Sequence, residues 1–373
     1  MKIGIVCDGF NIGGIQRLAL DQAYSLSSKG YSVVLVVLNE KPTNLQPTFL
    51  YSEAHLISRS LVEIIFIPGK KFQQFARLFL IFKKNDFSKI ISHSLRGSVL
   101  LYAYRIIFRK KFFLTTTLHQ LPSLSSPSQH FKRVLYSQFT DELFCFSGAA
   151  QAEWLNRFKF SQLLKILGSH KKPILCRNGV FLPRLHECNL PNSLNSAINS
   201  DVRRLVFIGR LTEWKGFEKF IEIAFLQELK HLRILIVTPT NPESFIKITD
   251  ESFLKRIKIE VGKSIHQIPF EKGDIHLYPA NYGDQKNYIE GVSINVLEMA
   301  CLGIPSLISQ NGNKTWPELS DLGVVFEVNW DKPIEVSSVI LTQVRPLDPS
   351  KIEVVRKIVN IDNNIDKFKT LWN

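Results

Sequence analysis

The chain reads as an α/β protein made of two doubly wound domains, each a parallel sheet with helices on both faces. Three features support this. Its 373 residues, 45% apolar and 21% charged, suit about two domains at ~150 residues each and exclude a disordered chain. Short runs of aliphatic and β-branched residues alternate with helical periodicity, once before residue 180 and again from Arg203. Between the two series lies HECNLPNSLNSAINSD, polar and rich in Asn and Ser as a linker should be.

The first half opens with a strand over residues 2–7, KIGIVC. A loop and helix follow over 11–28, with Leu18, Leu20, Ala23 and Leu26 turned inward, and Gly30 ends the helix. Residues 31–38 form a continuous apolar strand of the kind buried on both faces of a parallel sheet. Strand, helix, strand is a βαβ unit, and the alternation continues through strands expected at 64–67, 90–93, 112–117 and 142–146. The loop after the first strand is not GxGxxG, because Gly9, Gly13 and Gly14 have the wrong spacing. Gly13 suits a tight turn, while Gly14, at the helix mouth, permits close approach of a phosphate. His119 closes the strand FFLTTTLHQ. A lone histidine is usually structural, but at the carboxyl end of a parallel strand it faces the crevice where open α/β sheets bind ligands.

The formal net charge of +14 is unevenly placed. Residues 1–180 hold 24 Lys and Arg against 9 Asp and Glu, a net of +15, and the remainder holds 23 against 24, a net of −1. So basic a half calls for an acidic partner: a membrane surface, an anionic glycan or nucleic acid. Residues 70–84, KKFQQFARLFLIFKK, read as a basic amphipathic helix. Phe72, Phe75, Phe79 and Phe82 recur at three- and four-residue steps and belong to the core. Lys70, Lys71, Arg77, Lys83 and Lys84, with Arg105, Arg109, Lys110 and Lys111 beside Phe108, form a surface suited to anionic lipid headgroups. No helix-turn-helix, zinc finger or RNA-binding aromatic signature occurs, so nucleic acid is not an expected partner. No apolar run approaches the ~18 residues of a membrane span, and MKIGIVCDGF is a strand and turn rather than a signal peptide. The five cysteines (7, 145, 176, 188 and 301) include no CxxC, which fits free thiols in a reducing compartment. The expected location is cytoplasmic, peripheral on the inner face of the cytoplasmic membrane.

The second half repeats the α/β pattern, with a strand at 203–209, a helix over 216–229, and strands at 232–237, 257–261 and 275–279. GRLTEWKG follows the first of these strands. Arg210 leaves the strand and Lys215 stands at the mouth of the next helix, a pair fit to clamp a diphosphate, the guanidinium by forking and the ammonium as a point charge. Further on comes YIEGVSINVLEMACLGIPSLIS. Glu290 sits on a loop with Gly291, Val292 and Ser293. A helix begins at Ile294 and carries Glu298, and Gly303 and Pro305 stop it. The first amides of that helix lack intrahelical partners and carry the positive end of its dipole. Alone, Glu298 reads equally well as a solvated helix carboxylate and Glu290 as a favourable charge near a helix start.

Together these words resemble the GT-B fold retaining glycosyltransferases of family 4 (glycosyltransferase group 1), with some likeness to the lipopolysaccharide-core type. Glu, eight residues on Glu, then Met-Ala-Cys-x-Gly-x-Pro resembles their nucleotide-sugar site. Arg-x4-Lys-Gly resembles their diphosphate pair, Gly13-Gly14-Ile15-Gln16-Arg17 their Gly-Gly-x-Glu-Arg with an amide for the acid, and CRNGVFLPRL their Pro-Asn-Gly-Val segment. The resemblance implies two Rossmann-like domains facing each other across a cleft. Residues 1–181 would form the acceptor side, 182–200 the linker and 201–352 the nucleotide-sugar domain. Residues 353–373 would form a C-terminal helix of the kind that commonly crosses back to the first domain. It implies a hexose-type donor on a nucleotide diphosphate, commonly uridine, bound by Gly14, Arg210, Lys215, Glu290, Gly291, Val292, Ser293 and Glu298. Glu298 would accept from the ribose hydroxyls and Glu290 would hold sugar hydroxyls. His119 would contact the donor sugar or line the acceptor side.

The expected chemistry follows from charge: Arg210, Lys215 and the helix amides meet the negative charge that builds on the leaving diphosphate. Glu290, His119, Arg210 and Lys215 are the expected catalytic set. With no obvious nucleophile, front-face attack assisted by the leaving phosphate replaces a covalent intermediate. Asp-x-Asp is absent, so no metal or other cofactor is expected. The expected acceptor is an anionic glycolipid or glycan at a membrane. A nucleotide-sugar 2-epimerase of the same fold and a non-catalytic membrane-associated partner protein are the alternatives.

Overall fold

The computed structural model describes residues 1–9, 14–39, 62–69, 71–119, 138–146, 150–152, 154, 172–186, 203–239, 255–263, 265–280, 292–310, 312 and 315–372. The chain divides into two compact units, Met1–Phe181 with Ile361–Asn373, and Leu182–Asn360.

The first unit is a parallel sheet in the order β3-β2-β1-β4-β5-β6-β7. Its elements are β1 (Lys2–Cys7), α1 (Gly14–Ser28), β2 (Ser32–Val37), β3 (Val62–Phe66), α2 (Lys71–Lys84), β4 (Lys89–Ser92), α3 (Leu95–Ile107), β5 (Phe113–Leu118), β6 (Glu142–Cys145) and β7 (Ile174–Leu175). Beta-strand β1 is central: Ile5 stands opposite Leu35 on one side and Ile91 on the other. That is why it is apolar on both faces. Helix α1 packs Leu20, Ala23 and Tyr24 over Ile3 and Ile5 on one face. On the other, Leu78 and Phe82 of α2 and Leu101 and Tyr104 of α3 join Val6 and Val34.

The second unit begins with α4 (Leu182–His186), so these five residues, expected in the linker, are helical and belong to the second body. Its sheet runs β10-β9-β8-β11-β12-β13, all parallel. The elements are β8 (Arg204–Ile208), α5 (Phe217–Ala224), β9 (Arg233–Thr238), β10 (Ile257–Val261), β11 (Asp274–Tyr278), α6 (Ile294–Cys301), β12 (Ser306–Ser309), α7 (Pro317–Asp321), β13 (Val325–Val328), α8 (Pro333–Thr342) and α9 (Pro349–Val359). The helix expected over 216–229 stops at Ala224. Leu226 turns out at φ −58°, ψ 139°, and a short 3-10 turn, Gln227–Leu229, lets Leu229 enter the core. Helices α7, α8 and α9 each carry Pro in the first turn, where the missing N–H costs nothing. At the start of β8 and β11, Arg204 binds both oxygens of Asp274, Nε to Oδ1 at 2.8 Å and Nη2 to Oδ2 at 2.7 Å. Its Nη2 also donates to the carbonyl of Pro269, so the buried charges are well satisfied.

The last helix, α10 (Asp362–Trp372), belongs to the first unit. Ile365 and Phe368 complete the α1 core, with the Phe368 ring 4.7 Å from that of Phe144. The amide of Ile361 donates to Val180, Lys29 pairs with Asp362 and Asp366, and Lys89 donates to the carbonyl of Trp372. Removing the Phe368 ring leaves a cavity against Phe144 of β6. Phe368→Ala is expected to destabilise the first unit by about 3 kcal/mol or more, read as a lower urea midpoint.

Candidate functional site

In the second unit the chain leaves β8 toward β9 and leaves β11 toward β12, so β8 and β11 flank the topological switch point, the usual ligand crevice of an open α/β sheet. The loop after β8 carries exposed Arg210 and half-buried Lys215. The Lys215 ammonium donates to the Tyr278 hydroxyl at 2.6 Å, which ties the loop to the end of β11. Gly216 sits at φ 70°, ψ 27°, and a Cβ there would lie 1.8 Å from the Pro279 carbonyl oxygen. Only glycine allows this approach.

Helix α6 opens at the same edge. The Asn295 side-chain amide donates to the carbonyl of Ile208, the last residue of β8, at 3.2 Å. Ser293 is the N-cap without a side-chain cap bond, and Val292 before it is buried. Two cations and the positive end of a helix therefore share the carboxyl edge of β8 and β11, an arrangement made for an anion. The far end of α6 is closed by Gly303 at φ 78°, with Ile304 N–H donating to Met299 and Gly303 N–H to Ala300. Arg356 of α9 caps it further, Nε donating to the Cys301 carbonyl at 3.0 Å. The wording Cys-x-Gly-x-Pro is thus the helix stop itself.

Glu298 is fully buried, and its Oε1 accepts from Arg184 Nη2 of α4 at 2.6 Å, both side chains being at most 1% exposed. The carboxylate expected to reach ribose is held by a guanidinium that sequence reasoning missed. Arg184 lies six residues past Asn178 in CRNGVFLPRL, at the start of the stretch expected as linker. Burial pushes the neighbouring Cys301 thiol up to about 12, so it is no nucleophile. Glu290 and Gly291 lie outside the described residues.

The switch point of the first unit lies between β1 and β4. Asp8, just past β1, accepts from the Ser94 hydroxyl at 2.5 Å, and the same oxygen caps α3 by accepting from Gly97 N–H at 2.8 Å. His93 follows β4, is buried, and lies 2.8 Å from Gln22 Oε1 by its Nε2 and 2.9 Å from His119 Nε2 by its Nδ1. His119, half-buried just past β5, also packs on Phe146 at 4.5 Å. Burial pushes His93 down to about 3, and burial together with the neighbouring imidazole pushes His119 well down, so both are neutral near pH 7. Gly14 opens α1 and is exposed.

Of the expected lipid-facing cations, Lys70 lies outside the described residues and Lys71 opens α2. Arg77, Lys83, Lys84, Arg109 and Lys111 are exposed, and Lys110 pairs with Asp86 at 3.4 Å. Arg105 instead forms a structural pair with Asp141 at 2.6 Å beside Tyr102 and Phe112. Leu80, Ile106, Ile107 and Phe108 are exposed among them. Among the described residues no helix is long and apolar enough to cross a membrane, and no cluster of His, Cys, Asp and Glu could hold a metal ion.

No protein-family model and no curated protein matches the chain. Solved structures do. HepE of Anabaena in complex with UDP is similar over 100% of this chain and 99% of its own, at TM-score 0.68 and 14% identity. A glycosyltransferase from Rickettsia africae is similar over 100% and 97%, at 0.67 and 16%. WaaG, a glycosyltransferase of lipopolysaccharide biosynthesis, is similar over 96% and 95%, at 0.59 and 14%. The chain has the two parallel-sheet α/β domains of the GT-B fold.

Truncating one member of the buried pair strands the other charge. Arg184→Met is expected to cost about 3–5 kcal/mol by denaturant unfolding, with much of it recovered in the double variant Arg184→Met, Glu298→Leu.

Proposed function

We propose that the chain is a retaining glycosyltransferase that moves a hexose-type sugar from a nucleotide diphosphate, with uridine as the first base to try, to an anionic glycan or glycolipid. A lipopolysaccharide core or another cell-surface polysaccharide is the acceptor class in view. The observation that carries this is the convergence of Arg210, Lys215 and the opening turn of α6 on the switch-point edge of the second unit. HepE, built on the same fold, was solved with UDP, and WaaG acts in lipopolysaccharide biosynthesis, which supports both the donor and the acceptor class.

In this reading the cations and helix amides take up the charge that develops on the leaving diphosphate, and such preorganised electrostatics is usually the largest catalytic term. Glu290 holds sugar hydroxyls and His119 meets the sugar or the acceptor. Gly14, Gly291, Val292 and Ser293 bring backbone close to the donor. Glu298, covered and paired with Arg184, serves by fixing the angle at which α6 presents its amides. The acceptor hydroxyl attacks from the face the diphosphate leaves, and a diphosphate oxygen takes its proton. The protein's own cations supply the charge that a divalent metal would otherwise bring.

Ligands of the folded state raise its melting point by mass action. UDP and UDP-sugars are expected to stabilise the wild type, with Lys215→Ala losing most of the shift. Turnover with acceptor is expected to fall at least about 100-fold in Lys215→Ala and Glu290→Ala and to persist in EDTA. A sugar whose stereochemistry changed without acceptor would mark an epimerase, and wild-type behaviour of both variants would mark a binding protein.

The exposed cations of α2 and the end of α3 are assigned to an anionic membrane surface on the cytoplasmic side. Sedimentation with phosphatidylglycerol vesicles is expected to fall steeply as salt is raised from ~50 to ~500 mM. Binding indifferent to salt contradicts that assignment.

A further inference from the structure

Three side chains on separate elements of the first unit form one line: Gln22 on α1, His93 after β4 and His119 after β5. The Gln22 oxygen Oε1 can only accept, so the hydrogen between it and His93, 2.8 Å away, sits on His93 Nε2. A neutral imidazole has one N–H, which leaves His93 Nδ1 a lone pair. His119 Nε2, 2.9 Å from that lone pair, must therefore donate. The remaining ring nitrogen of His119, Nδ1, is then an acceptor. Burial keeps both rings uncharged, so neither brings a cation to the carboxyl edge of this sheet. Sugar transfer uses His119 and gives Gln22 and His93 no part of their own.

We propose that Gln22 and His93 are positioning residues that lock His119 in the Nε2–H tautomer, so that its Nδ1 accepts a hydrogen bond from a substrate hydroxyl, on the donor sugar or on the acceptor. This rests on the transferase reading for the substrate and on the geometry alone for the tautomer. A charged histidine at this place would favour phosphate. A neutral acceptor favours a polyol, which leaves the diphosphate to the cations of the second unit.

The tautomer is read without any substrate, by long-range proton–nitrogen NMR of the 15N-histidine protein at pH 7. Both rings are expected with protonated Nε2 and bare Nδ1; His119 found as Nδ1–H or as imidazolium overturns the proposal. Two substitutions then separate positioning from packing. His93→Asn puts an amide oxygen near the place of Nδ1 and is expected to keep the His119 tautomer and KM within about twofold. His93→Leu removes the acceptor, and is expected to give mixed His119 tautomers and a KM raised roughly three- to tenfold, one hydrogen bond's worth. The rise appears in the KM of whichever substrate supplies the hydroxyl, donor or acceptor. Unchanged kinetics in His93→Leu, with turnover intact, overturns the positioning role. A protein that binds and turns over no nucleotide sugar refutes the transferase reading instead, while the NMR spectrum still decides the tautomer.

Discussion

The ion pair between Arg184 and Glu298 fixes a helix that the second unit cannot do without. Water has been stripped from both charges, and each is tolerable there only because the other is 2.6 Å away. Helix α6 is thereby fastened at its middle. Asn295 fastens its start to β8, and Gly303 with Arg356 closes its end. A helix held at three points has a fixed axis, so its first-turn amides aim at one spot. The fit of Gly216 under Pro279 and the bond from Lys215 to Tyr278 fix the facing loop in the same way. The electrostatic value of the edge comes from this prior fixing, since dipoles already in place need no reorganisation when charge arrives.

Both units put their polar groups at a topological switch point, yet with opposite chemistry. The second offers a guanidinium, an ammonium and a helix start. The first offers two neutral imidazoles, a serine hydroxyl and the Asp8 carboxylate. Anions suit the former and polyhydroxyl groups the latter. Exposed cations of the first unit lie elsewhere, Arg77, Lys83 and Lys84 on α2 and Arg109 and Lys111 just past α3, where exposed Leu80, Ile106, Ile107 and Phe108 accompany them.

Most strands and the leading helices were legible because apolar runs and helical periodicity are local properties: residues 2–7 form β1, and Ile294 starts α6 as its spacing required. Element ends were less so, as at Ala224, where tertiary packing of Leu229 decided. The Arg210 and Lys215 loop was readable because its glycine, cations and following helix are contiguous. Arg184, His93 and Gln22 were not readable. Each acts on a residue 26 to 114 positions away, and no spacing rule joins them. Arg105 looked like its surface neighbours because nothing local reveals that Asp141 lies beside it. Burial also escaped notice at Glu298, since a glutamate on an amphipathic helix ordinarily faces solvent.

Helix α10 has a consequence for how the molecule is made. The first unit draws Ile365 and Phe368 from beyond the whole of the second, so its hydrophobic interior has an open side against Phe144 until those residues exist. Domains commonly fold in the order of synthesis. Here the body whose strands are made first receives its last core residues only after every residue of the body inserted within it has been made.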